Sequence, residues 1–218
     1  MAVLRYFHTA LVIRGTYWPN TPIKLNNQPH FIESILLYAS VMNSSWKEQL
    51  GVSCTRCEYP VDSYSLFTEE KKALAFYTLP LLLGAKSKGG QVGGCFGMTM
   101  EAFIDLQPAI TNIEGYLKGI DGLERPQPFV LALVGKNKLL PSQVFTVMER
   151  RAIEAPSLLK GIDMAFKAHY VFNVSYQQKV KAVWEFLQCV IYELPGKVRP
   201  AVRDMRAYLM EAARKGIR

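Results

Sequence analysis

Apolar positions are densest and most regular in the last third of the chain, from 128 to 195. Val180, Val183, Trp184, Leu187, Val190, Ile191 and Leu194 recur at i, i+3, i+4 and i+7. That spacing predicts a helix over 177–194 with one buried stripe, ended by Pro195-Gly196. Pro156-Ser157 opens another helix that runs to about Tyr170. Ahead of these, the unbroken apolar run from Phe129 to Val134 predicts a strand buried on both faces. Val144, Phe145, Val147 and Met148 predict its partner strand, and the stretch between them carries turn residues.

The first half is less regular. Thr68 reads as an N-cap with Glu69 and Glu70 in the first turn. The helix it opens takes in Leu74, Ala75, Phe76 and Leu79 and ends by Gly84. Ile32, Ile35, Leu36, Ala39 and Met42 predict a helix over 31–50, stopped by Gly51. Residues 98–106 alternate and are expected to be a strand; 108–119 are expected to hold a short helix. Residues 1–28 end in turn chemistry at Trp18-Pro19-Asn20 and Asn26-Asn27. The stretch KSKGGQVGGCFG at 86–97 is glycine-rich and basic. It is expected to be a mobile loop dividing a helical N-terminal part from the C-terminal core. The sum is a single α+β domain over 1–218, mainly helical with a small central sheet.

Composition agrees with a globular chain. Half of the 218 residues are apolar and a fifth are charged, enough to bury a core without staples. No apolar run reaches the roughly 18–20 residues that cross a bilayer; the longest, 76–84, contains Pro80. The N-terminus is broken by Arg5, His8 and Arg14 and makes a poor secretory signal. Its acid-free start up to Glu33 also fits a mitochondrial presequence, but an ordinary element at a domain edge is the reading adopted. Four cysteines fit a reducing compartment, cytoplasm or nucleus.

The net charge of +8 is unevenly placed. Residues 1–125 hold 11 Lys/Arg and 11 Asp/Glu of the chain's 26 and 18, which leaves 15 against 7 for the remainder. Pro200 fits the first turn of a C-terminal helix. At about 100° per residue, Arg199, Arg203, Arg206 and Arg214 fall on one face of it. Val202, Met205, Leu209, Ala212 and Ala213 fall on a neighbouring face. The expectation is a helix docked by its apolar stripe. Its arginines either form a candidate polyanion-binding face or are simply solvated.

Catalytic chemistry is poorly represented. Cys54-x-x-Cys57 is half of a zinc-ribbon pattern, and Cys95, Cys189, His8, His30 and His169 supply no second pair at ligand spacing. A redox pair would precede a helix, whereas Tyr59-Pro60 follows here. Unpaired loop thiols, without metal, are expected. The glycines at 89, 90, 93, 94 and 97 match neither a P-loop nor a dinucleotide fingerprint. His169 lies on an apolar helix beside Phe166 and Tyr170 and reads as a core histidine rather than a catalyst. Asp163 and Lys167 read as an i, i+4 surface pair. No catalytic, cofactor-binding or metal-binding residue is assigned.

Five stretches carry a resemblance: TLPLLLGAK (78–86), EAFIDLQPAITNIEGYL (101–117), PFVLALVG (128–135), QVFTVMERRAIEAPSLLKGIDMAFKAHYVFNVSY (143–176) and VWEFLQCVIYELPG (183–196). Over about half of its length the chain resembles the C-terminal domain of a family of uncharacterised vertebrate proteins, many from fish. Some of these carry a sterile alpha motif domain upstream, which this sequence lacks. The resemblance implies an accessory domain and no catalytic residues. The function expected is therefore a non-catalytic module for a protein partner. Nucleic acid binding through the basic C-terminal helix is the runner-up, and an enzyme of unknown class stands third.

Overall fold

The computed structural model describes Ile35 and residues 68–83, 100–120 and 127–215; side chains are described as far as Glu211. The predicted helix over 31–50 (except Ile35), the Cys54/Cys57 pair, the glycine-rich 86–97 and residues 1–28 lie outside the described residues.

Helix α1 spans Thr68–Leu83 and has Pro80 inside it. Ala73, Leu74, Ala75, Phe76, Tyr77, Leu79 and Leu83 are all buried. A helix apolar around its whole girth belongs inside a core rather than on its rim. Its first turn is anchored by Glu70, which accepts a 2.8 Å bond from Asn137 Nδ2.

Four strands follow: β1 (Ile104–Pro108), β2 (Phe129–Val134), β3 (Pro141–Met148) and β4 (Arg151–Ala155). They lie side by side in chain order. β1 runs parallel to β2, which needs a crossover, and helix α2 (Ile113–Gly119) lies within it. β2–β3 and β3–β4 are antiparallel. β2 is interior and all six of its residues are buried, which explains its unbroken apolar run. The strand expected at 98–106 begins only at Ile104. Met100 and Glu101 are helical, and a turn closed by Phe103 N–H to Met100 O precedes the strand. The expected short helix starts at Ile113 because Asn112 caps it, accepting from Gly115 N–H at 2.8 Å.

The two faces of the sheet are covered differently. Phe129, Leu131, Leu133 and Val147 pack with Ile113, Tyr116 and Leu117 of α2. Ile104, Val130, Ala132, Val144 and Ala155 join the larger core on the other face. Helix α3 (Leu158–Val171) packs there, capped by Ser157, which accepts from Lys160 N–H. Gly161 permits the approach: a Cβ at this position would stand 2.8 Å from Val144 Cγ1. Thr146, fully buried in β3, donates to the Gly161 carbonyl at 2.9 Å.

The helix predicted over 177–194 is shorter and interrupted. Helix α4 covers Lys181–Phe186, and Leu187–Ile191 continue it as a π-helical turn. Tyr192 N–H bonds to Leu187 O at 2.9 Å, and Glu193 closes the end at φ 52°. The wide turn rotates the apolar stripe. Val180, Val183, Trp184 and Leu187 are buried as predicted, whereas Val190, Ile191 and Leu194 are only half-buried. Helix α5 (Pro200–Lys215) completes the order. The result is α+β: among the described residues, a four-stranded mixed sheet with helices around it. Among the described residues no helix is long and apolar enough to cross a membrane.

Candidate functional site

Two groups of chemically capable side chains stand out, one inside the core and one on its surface. The inner group is built by α3, α4 and the π turn. Trp184 is fully buried. It meets Phe103 edge-on at 4.9 Å, Phe166 at 6.4 Å, Tyr176 at 6.3 Å and the His169 ring at 4.8 Å. His169 is buried with Nδ1 2.9 Å from the Ala165 carbonyl, while Nε2 has no hydrogen-bond partner. Burial lowers its pKa to about 4, against the opposing pull of the Ala165 bond, so the ring is neutral at neutral pH. The tautomer with the proton on Nδ1 satisfies that bond. This is a core histidine.

Asp163 departs from expectation. It is a buried anchor rather than half of a surface pair. Lys160 Nζ lies 2.8 Å from Oδ2, Lys167 Nζ 2.9 Å from Oδ1, and the Tyr192 hydroxyl donates to Oδ1 at 2.7 Å. Burial alone would raise its carboxyl pKa. The hydrogen bonds from Lys160, Lys167 and Tyr192 outweigh burial and hold the carboxyl below the ordinary carboxylate range. The same arrangement drives the Tyr192 hydroxyl far up, by burial and by the adjacent carboxylate. Tyr192 also stacks on Phe166 at 4.1 Å. The π turn is what aims Tyr192 at α3, so this cluster locks two helices together.

The outer group lies on α5. Val202, Met205 and Leu209 are buried against the core, as the wheel predicts. Arg203 and Arg206 are exposed. Arg199 is a partial correction: its Nε sits 3.4 Å from Glu185 Oε2, so it tethers the start of α5 to α4 and is only about one-third exposed. The Arg214 side chain lies outside the described residues. Met210 is 50% exposed and falls on the arginine face, one turn beyond Arg206. The charge pattern hid it. Placing every residue of α5 on the wheel, not only the arginines and the stripe, would have found it.

A cleft of about 280 Å³ opens beside the start of α1. It is lined by Glu69, Leu139, Ser142, Glu154 and Ser157 among others, and by none of His169, Asp163 or Cys189. The buried titratable groups therefore do not converge on it. Among the described residues, no group of three His, Cys, Asp or Glu side chains is placed to hold a metal ion. No family model, no curated protein and no solved structure matches the chain.

Proposed function

We propose that the chain is a non-catalytic interaction module, an accessory domain of the cytoplasm or nucleus, and that α5 is its contact surface. One observation carries this reading. Val202, Met205 and Leu209 hold the helix down, which leaves Arg203 and Arg206 exposed, Arg206 on the side nearer the buried Cys189 thiol. Arginine so placed is the residue type enriched at protein contacts. Residues 196–218, which include α5, hold seven Lys/Arg against two Asp/Glu, a balance that draws anionic partners. The inner cluster supports the same reading, because His169 and Asp163 are committed to packing and to helix anchoring.

Nucleic acid is the second reading, favoured by Arg203 and Arg206, which are exposed one turn apart on the same face of α5 and suit successive phosphates. The test is quantitative affinity capture from cell lysate, with and without nuclease. The chain is compared with its Arg203→Glu/Arg206→Glu variant. A protein partner retained after nuclease and lost with the double variant is the expected result. Loss of all captured protein on nuclease treatment would favour nucleic acid. Identical capture by both chains would remove α5 from consideration.

A further inference from the structure

We infer that the α5 face takes an acidic protein segment carrying an apolar side chain, and that Met210 is where this side chain seats; the inference rests on the reading of α5 as the contact surface. Arg203, Arg206 and Met210 are separated by three and four residues, so they form one continuous row. All three are exposed. Met210 is half exposed although Val202, Met205 and Leu209, on the adjoining face, already supply the apolar docking. Its side chain is unbranched and adaptable, a type found at surfaces that accept varied apolar partners.

The charges around the row narrow the choice of partner. Asp204 and Glu211 are exposed and lie roughly 100° around the helix from Arg203 and Met210. They border the arginine row on one side, and the docked stripe borders it on the other. A nucleic acid backbone is wide and uniformly anionic. It would bring phosphates against Asp204 and Glu211 and gain little from a methionine. A narrow segment matches the row better, with carboxylates facing Arg203 and Arg206 and a leucine- or phenylalanine-like side chain over Met210. Carboxylates also accept the forked bonds that arginine offers.

Fluorescence anisotropy with defined probes tests this. The probes are a labelled peptide DEELDELFDE, its counterpart with every apolar residue replaced by serine, and a short labelled DNA duplex. The proteins are the full chain and its Arg203→Glu/Arg206→Glu, Met210→Ser and Met210→Leu variants, each checked for an unchanged melting temperature. The apolar acidic peptide is expected to bind the full chain at least about tenfold more tightly than the arginine variant, a difference of about 1.4 kcal/mol. Met210→Ser should weaken that peptide roughly threefold or more and leave the serine peptide unchanged, while Met210→Leu should preserve binding. Equal binding of every probe by the arginine variant would overturn the reading of α5 itself. Arginine dependence without any effect of Met210→Ser, with DNA or the serine peptide bound as tightly, would overturn the partner assignment alone.

Discussion

His169 makes the stability of this protein depend on pH in a defined window. Its ring is buried and uncharged, with a pKa lowered to about 4 from an unfolded value of 6.5. In that interval the unfolded chain binds a proton that the folded chain refuses, so stability rises with pH there. The contribution is fully present above the unfolded value and drains away as pH falls through the window. Each tenfold difference in proton affinity between the two states corresponds to about 1.4 kcal/mol, so the loss reaches about 2 kcal/mol by pH 5 and about 3 kcal/mol by pH 4. Below the folded value it stops growing. His169→Gln removes the titration while keeping an amide donor for the Ala165 carbonyl. The assay is urea unfolding of both chains from pH 7.5 to 4, taking the difference between them at each pH. Every other group is common to both proteins, so its contribution drops out of the difference. The His169→Gln chain should lose about 3 kcal/mol less stability than the parent across that range. Parallel curves would refute the claim that this ring is held neutral by burial.

Two further outcomes follow from packing. Trp184→Ala deletes the side chain that touches Phe103, Phe166, His169 and Tyr176, and should cost about 3–5 kcal/mol in chemical denaturation; an unchanged unfolding midpoint would contradict its central place. Gly161→Ala adds a methyl 2.8 Å from Val144 Cγ1 and should destabilise by about 1–3 kcal/mol. Val144→Ala in the same chain should recover part of that loss if the clash is the cause, which thermal melts of the single and double variants would show.

What the sequence made legible depended on how local the determinants were. Strand β2 was plain because an interior strand of a covered sheet has no polar face to disguise it. Helix α3 was plain because Ser157 marks its start and its apolar face is continuous. Strand β4 went unseen. Its residues are mostly polar or half-buried, as suits an edge, and the turn before it lacks glycine and asparagine. Glu149 instead adopts φ 52°, a strained choice for a non-glycine residue and one that leaves no mark in a sequence pattern. The interruption of the 177–194 helix was equally hidden. A stripe at i, i+3, i+4 describes the residues before the π turn and cannot foretell that a bond will skip to the fifth residue. Asp163 looked like a surface pair because spacing reveals Lys160 and Lys167 but not Tyr192, whose arrival depends on that turn. On α5 the arginines were legible as charge. The tie between Arg199 and Glu185 was not, because it joins two helices.

The π turn also limits how the length of this chain can drift. A wide turn behaves like a single extra residue threaded into a helix. Excising one residue between Leu187 and Ile191 would close it to a regular α-helix and leave the flanking residues near their present phase, so the residue now numbered Tyr192 would stay beside Asp163. Excising a second residue has no such slack to draw on. It would swing everything downstream by about 100° and take the Tyr192 hydroxyl away from Asp163. One deletion in this turn is therefore expected to be far better tolerated than two.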